Sequence, residues 1–323
     1  MQRVVISGGT GFIGSALAKR LAVNAEVVVL SRNSTEASAR LNFPGIRVVE
    51  MAGADPGRLS KLLDGVDVVF NLAGSAGAVR SNSNPADSLA SICEFQMGFL
   101  EACASAKSRP HVVFASTRLV YGRPERLPVT ENHPLNPQSF YAAHKLCVEH
   151  YHQIFAQRGT MSFTVCRISN PFGVDCGVRP SREYGFLNQM IRAGVEGRPL
   201  RIFGDGEQLR DYIFIEDLLD ALMMCGTNPI ARNETFNIGS GAGVSIQQAA
   251  RVVAQCTGAQ VERVPWPQGY IEVETGDFIN GIGKVEDLLG FRPRHGFLEA
   301  VEKTAAGYRQ AAAKADVRPK ESA

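Results

Sequence analysis

Val4-Val5-Ile6-Ser7-Gly8-Gly9-Thr10-Gly11-Phe12-Ile13-Gly14 is the stretch that decides the fold. Its first four residues are mostly β-branched and apolar and read as a strand. Gly14–Ala22, rich in Ala and Leu, reads as a helix. The glycines between satisfy both G-x-G-x-x-G (Gly9, Gly11, Gly14) and G-x-x-G-x-x-G (Gly8, Gly11, Gly14). Such a loop needs glycine for a tight turn, for close approach of backbone to a pyrophosphate, and for close packing of helix on strand. The helix start adds unpaired N–H groups and the positive end of a dipole. Flanked by a strand and a helix, the pattern points to a bound dinucleotide, held by Gly8, Gly11, Phe12, Ile13 and Gly14.

Further along, apolar runs alternate with helical patterns. Glu26–Leu30, Val66–Leu72 and His111–Ala115 read as strands; Gly57–Leu63 and Leu89–Ser105 read as helices, followed by helix Tyr141–Gln157 and strand Phe163–Ile168. The strand runs are apolar throughout, as suits strands buried on both faces. Alternation of this kind predicts α/β architecture, a Rossmann-type doubly wound parallel sheet. After Asn170-Pro171 the texture shifts to more Gly, Pro and Arg. Residues 1–170 are therefore expected to form the dinucleotide-binding domain. Residues 171–310 are expected to form a smaller, discontinuous α/β substrate domain. Segments near 209–240, with Tyr212–Cys225 and Thr235–Ile238, return to the first. Residues 311–323 are expected to be a disordered tail.

Composition narrows the function. The chain has 323 residues with 45% hydrophobic and 20% charged, which argues for a packed globular protein. Its 34 Lys+Arg balance 32 Asp+Glu, which argues against a nucleic-acid or membrane surface. No apolar run approaches the roughly 18 residues of a membrane helix. The opening segment carries no apolar signal pattern. Seven cysteines form no C-x-x-C pair, so reduced thiols, a cytoplasmic setting and no metal site are expected. His150 and His152 lie two apart and read as surface histidines. Glycine is abundant, 32 residues, and the excess clusters at strand ends such as Gly74, Gly122 and Gly173.

The second strand ends Val29-Leu30-Ser31-Arg32-Asn33, with no acid before Glu36. An Asp or Glu there would hold a ribose 2′-hydroxyl, whereas an Arg accommodates a 2′-phosphate. Ser31 and Arg32 therefore favour NADP, with NAD the alternative. Downstream, His111–Ala115 leads into Ser116-Thr117, and Tyr141 and Lys145 stand at i and i+4 on one helix face. A nearby ammonium would favour the phenolate. Tyr141 is then a candidate acid/base for a hydroxyl or carbonyl, with Thr117 orienting the same oxygen.

Taken together the chain resembles an extended short-chain dehydrogenase/reductase of the nucleotide-sugar epimerase/dehydratase family. The likeness runs from Val4 to Tyr308. It rests on the glycine loop, Asp67-Val-Val-Phe-Asn-Leu-Ala-Gly74, Phe114-Ala-Ser-Thr-Arg-Leu-Val-Tyr-Gly122, Tyr141 with Lys145, Arg167-Ile-Ser-Asn-Pro-Phe-Gly173, and the run from Ile202 through Arg210-Asp-Tyr to Asp217. The resemblance implies that Leu72, Ala73 and Gly74 pass the cofactor ribose. It makes Thr117, Tyr141 and Lys145 the catalytic set, with Tyr141 and Lys145 also touching the cofactor. It places Asn170 at the substrate mouth and Arg210 on a phosphate.

Three positions depart from that pattern. Arg118 and Leu119 stand where dehydrating relatives carry an Asp-Glu pair, and neither can protonate a leaving hydroxyl. Ile92 stands where an Asn often serves a proton-relay water. Glu274 stands where a second phosphate-binding Arg is usual, and a carboxylate there would repel a diphosphate. Arg179, Arg182 and Arg292 are candidate substitutes. The resemblance implies hydride transfer at a ring carbon, C4, of a nucleotide-activated sugar. Ser31-Arg32 favours a 4-keto-sugar reductase; a 4-epimerase that recycles its cofactor is the alternative. A reductase of non-nucleotide carbonyls and a non-catalytic cofactor sensor are the remaining readings. A homodimer is expected through Leu89–Ser105, with Ile92, Phe95, Met97 and Phe99, and Tyr141–Gln157, with Leu146, Val148, Ile154 and Phe155.

Overall fold

The computed structural model describes residues 1–51, 53–74, 77–174 and 185–316. In chain order its strands are β1 (Arg3–Ser7), β2 (Glu26–Ser31), β3 (Ile46–Glu50), β4 (Val68–Asn71), β5 (His111–Thr117), β6 (Ser162–Ile168), β7 (Asn170–Phe172), β8 (Leu200–Phe203), β9 (Leu209–Phe214), β10 (Glu234–Ile238), β11 (Gly243–Ser245) and β12 (Val261–Val264). Seven of them form one parallel sheet in the order β10-β6-β5-β4-β1-β2-β3. The chain starts mid-sheet at β1, winds out to β3, then crosses back to β4 and winds the other way. The reversal between β1 and β4 opens a crevice at the carboxyl ends of those strands, where this architecture binds ligands.

Burial explains the strands. Every residue of β5 and β4 is buried, and Val4, Val5, Val27, Val28 and Val29 are fully so. Helices cover both faces, so runs without alternation fit the sheet as expected. Between β2 and β4, two elements escape the sequence reading, helix Ser34–Arg40 and β3. β3 is the sheet's edge, and its Ile-Arg-Val-Val-Glu carries polar side chains and is only half covered. An edge strand lacks the apolar run that marks a central one.

After β6 the chain opens a small three-stranded sheet, β11-β9-β7, and a two-stranded one, β12-β8. Helices Phe186–Val195, Ile246–Thr257 and Phe297–Asp316 pack on one another beside them. Return to the main sheet comes through helix Ile215–Thr227, which packs on β4 and β5, and through β10 beside β6. Residues 209–214 instead pair with β7 and β11. Residues 311–316, expected in a frayed tail, continue the last helix; residues 317–323 lie outside the described residues. The run expected as one helix from Leu89 is broken by a π turn at Ala90–Glu94 before helix Phe95–Ser105.

His152 corrects the surface reading of the histidine pair. His150 is exposed, but His152 is fully buried, stacked 4.7 Å from the Phe114 ring, with Nδ1 2.8 Å from the Val148 carbonyl. Helix Phe140–Gln157 lies flat on the sheet, so its inward face reaches that far down. His111, at the foot of β5, is buried too. Burial pushes both imidazoles from 6.5 down to about 4. The unfolded chain binds these protons near pH 6.5 and the folded chain only near 4. Their stability is therefore complete above 6.5 and declines as pH falls through that window. We expect up to about 3 kcal/mol to be lost per ring by pH 4. Urea titrations at pH 7 and pH 4.5 check this. His152→Leu should shrink the difference between the two pH values, and an unchanged difference would refute the assignment.

Candidate active site

The glycine loop is built as its sequence requires. Gly8 has φ +70° and lies so close to the next strand's exit that a Cβ would come 2.7 Å from the Leu72 carbonyl carbon. A Cβ on Gly14 would come 2.3 Å from the Gly8 carbonyl oxygen. The Gly11 amide donates to that same oxygen at 3.0 Å, closing the turn. Helix Phe12–Leu21 begins on Gly11 with no side-chain cap, and Phe12 and Ile13 form its first turn. The positive end of that helix faces the loop, where an anion is stabilised.

The turn opposite is held from below. Ser7 Oγ donates to Asn71 Oδ1 at 2.8 Å and accepts from the Ala73 amide at 3.3 Å. Gln96 exchanges two hydrogen bonds with Asn71 and donates to the Ala73 carbonyl. All three polar side chains are buried, so Leu72-Ala73-Gly74 is a fixed rim. A Cβ on Gly74 would reach to 3.1 Å from Lys145 Nζ, so this glycine leaves the space that the ammonium occupies. A narrow cradle, an uncapped helix start and a lysine beside the rim fit the pyrophosphate and ribose of a dinucleotide.

Thr117 ends β5, and its Oγ1 accepts from the Leu119 amide at 3.3 Å. Ser139 caps helix Phe140–Gln157, and Ser81 accepts from the Tyr141 amide at 2.9 Å, which sets the helix start against the neighbouring segment. The Thr117 side chain lies near enough to the Tyr141 phenol to pull its pKa down. The three residues thus converge. Their electrostatics differ from expectation. Burial dominates and pushes the Tyr141 phenol up to about 12, against the lowering pull of Thr117. Lys145 Nζ donates to the Ala115 carbonyl at 2.7 Å and stands 6.0 Å from the Tyr141 ring centre. Burial lowers the lysine to about 8, partly opposed by Glu149. The ammonium faces the sheet edge more than the phenol, so in the free chain Tyr141 is a proton donor.

Sequence reasoning missed what holds this helix. Glu149, fully buried four residues beyond Lys145, accepts from Arg167 Nε at 3.2 and 3.1 Å and from Nη2 at 2.7 Å, and also from Ser116 Oγ. Arg167 Nη1 donates to Tyr121 OH at 2.9 Å, and Tyr121 donates to Asn237 at 2.7 Å. Extending the i, i+4 spacing from Lys145 to Glu149 is the signal that could have found it.

The other expected residues divide. Ser31 Oγ turns back to the Asn33 backbone, at 3.0 Å from its carbonyl, and Arg32 is exposed. Asn170 starts β7, with its amide spent on the Asp211 carbonyl at 2.7 Å. Arg210 does not stand free for a phosphate. Its Nη2 is 2.6 Å from each Glu274 oxygen, so the acid expected to repel a substrate instead grips the arginine. Arg292 is exposed and pairs with Glu286, leaving it no part in this group; Arg179 and Arg182 lie outside the described residues. Ile92, Phe99 and Val148, expected on a dimer face, are fully buried in the chain's own core.

The sequence model for the NAD dependent epimerase/dehydratase family matches residues 4–239. A UDP-glucose 4-epimerase of Mycolicibacterium smegmatis is 29% identical over 318 residues, spanning 95% of this chain and 98% of that protein. The crystal structure of a Thermotoga maritima UDP-glucose 4-epimerase with UDP-glucose is similar at a TM-score of 0.86 and 25% identity, over 96% of this chain and 100% of that one. A Thermus thermophilus UDP-glucose 4-epimerase in complex with NAD is similar at a TM-score of 0.81 and 26% identity, over 95% and 99% of the two chains.

Tyr141→Phe keeps the ring and removes the transferable proton. Turnover should fall by about 10²–10⁴-fold, while NAD affinity, read by fluorescence titration, stays within about twofold. Retained turnover would remove Tyr141 from the chemistry.

Proposed function

Since the chain belongs to the NAD dependent epimerase/dehydratase family and is an enzyme of the extended short-chain dehydrogenase/reductase type, we propose that it is a nucleotide-sugar 4-epimerase. The observation that carries this reading is the convergence of Tyr141, Thr117 and Lys145 on the crevice edged by the glycine loop and Leu72–Gly74. When bound there, a nicotinamide supplies a hydride acceptor that becomes a hydride donor. Thr117 orients the C4 oxygen of the sugar. Tyr141 takes the hydroxyl proton as that carbon becomes a carbonyl and returns it after the ring presents its other face. Residues beyond Asn170 form the substrate side of the crevice. Elimination would need an acid beside Thr117, and Arg118 and Leu119 supply none.

NAD replaces NADP as the favoured cofactor. Glu50 ends β3 in register with Ser31, and its carboxylate accepts from the Ser34 amide at 3.2 Å and hydroxyl at 2.5 Å. A carboxylate at this strand end disfavours a 2′-phosphate. The Thermus relative with NAD supports the same choice. A 4-keto-sugar reductase is the second reading, favoured by the exposed Arg32 and by a Tyr141 phenol that rests protonated. A homodimer and a cytoplasmic setting complete the proposal. Ile154, 50% exposed on helix Phe140–Gln157, marks the face that a second copy would cover.

UDP-glucose incubated with the protein and NAD should give a mixture of UDP-glucose and UDP-galactose with no net NADH. Stoichiometric consumption of NADPH with a 4-keto sugar, and no interconversion, would establish the reductase instead. Ile154→Glu should lower the mass read by sedimentation from dimer to monomer; an unchanged mass would move the interface elsewhere.

A further inference from the structure

Arg118, Arg210, Tyr212 and Glu274 meet where the exit of β5 faces β9 and the segment 274–278. Arg210 is closed. Beyond the two bonds to Glu274, its Nη1 donates to the carbonyls of Leu209 at 2.9 Å and Gly276 at 2.8 Å. Four of the five guanidinium donors are therefore spent within the chain. Glu274 is equally fixed, since its Oε1 also accepts from the Gly276 amide at 2.8 Å. The pair contributes a clamp and no net charge.

Arg118 is the contrast. It is 7% exposed, yet its described partners are one hydroxyl, Thr275 Oγ1 at 3.1 Å, and the face of Phe278, 4.8 Å from the guanidinium carbon. Among the described residues no carboxylate forms an ion pair with it. Asp211, the other buried acid of this group, is taken up by Ser169, Ser240, Gly241 and Asn280. Burial and the Arg210 charge lower the Arg118 guanidinium to about 9, against the weaker opposing pull of Glu274 and Asp211. Beside it the Tyr212 hydroxyl, in a residue 6% exposed, is buried without a hydrogen-bond partner. Both guanidiniums act on that phenol. A buried cation with no ion-pair contact among the described residues and an orphaned buried donor each carry a cost. One ligand group removes both costs, an oxyanion.

We propose that Arg118, with the Tyr212 hydroxyl, binds the diphosphate of the substrate in place of Arg210, which Glu274 holds closed. The assignment deepens the nucleotide-sugar reading and rests on it for the identity of the anion. It also gives the residue after Thr117 a use: a side chain that can neither protonate nor deprotonate a sugar hydroxyl delivers charge to the phosphates from the strand that carries the catalytic threonine. In this chain the cation has moved from position 274 to position 118.

Calorimetric titration of the NAD-saturated protein separates the possibilities. The probes are inorganic pyrophosphate, UDP-glucose and UDP-glucuronate. Arg118→Leu should weaken pyrophosphate and UDP-glucose at least tenfold, with NAD affinity unchanged, and Arg118→Lys should recover part of the loss. Glu274→Gln should tighten both ligands severalfold, because it releases Arg210; if Arg118→Leu does not fold, Arg118→Lys decides, since an affinity equal to wild type in that variant together with unchanged binding in Arg118→Gln would remove the guanidinium from the site. Unchanged affinity in Arg118→Leu, or weakening in Glu274→Gln, overturns the assignment. A loss confined to UDP-glucuronate would place a sugar carboxylate at Arg118 and overturn the diphosphate assignment. Should wild-type protein bind pyrophosphate in an Arg118-dependent way but none of UDP, GDP or dTDP, the nucleotide reading fails while Arg118 keeps its anion. A wild-type protein that does not bind pyrophosphate refutes the Arg118 site.

Discussion

The pairing of Glu149 with Arg167 is the constraint on which the active site depends. Two opposite charges are withdrawn from water between helix Phe140–Gln157 and β6, and three nitrogen–oxygen contacts offset the cost. Loss of either partner would strand the other, which typically costs about 3–5 kcal/mol. The pair therefore tolerates one registration of helix on sheet. Tyr141, Lys145 and Glu149 follow one another at four-residue spacing, so fixing Glu149 fixes the height and rotation of the other two. Through Tyr121 and Asn237 the same network reaches β10 and ties the returning strand to the frame.

A second constraint acts at the other wall of the crevice. Gly8 and Gly14 remove side chains where backbone must touch backbone, and the Ser7–Asn71–Gln96 bonds hold the facing rim. Lys145 links the two walls, since its ammonium occupies the volume that a side chain at Gly74 would take. The glycine loop, the Leu72–Gly74 rim and Thr117 all stand at the ends of buried parallel strands, where the sheet itself sets position.

What the sequence reveals follows from range. The glycine loop, the central strands and the i, i+4 pair of Tyr141 and Lys145 are local patterns, and each is legible because a period or a turn requirement is written within a dozen residues. The edge strand β3 is less legible because half its side chains meet solvent and the apolar run dissolves. His152 is misread for a similar reason: two histidines two apart look alike in sequence, but the helix turns one into the core and the other out. The Arg210–Glu274 clamp joins residues 64 apart in sequence, and no local rule pairs them. Reading Glu274 as a repulsive charge is correct for an isolated carboxylate; the structure gives it a cation of its own.

The acid–base state of Tyr141 follows from the same geometry. Tyr141 is half-buried, its phenol is pushed up to about 12, and its lysine is turned toward the Ala115 carbonyl and lowered to about 8. At neutral pH the free chain thus presents an acid in the crevice. To act as a base, the phenol must be brought down from that raised value toward neutrality. Thr117 pulls in that direction but is outweighed by burial. The remainder has to come from positive charge brought into the crevice, and the glycine loop and the Lys145 rim are shaped to receive a ligand there. Filling the cofactor site and drawing a proton onto Tyr141 are therefore coupled, because both depend on charge at the same crevice.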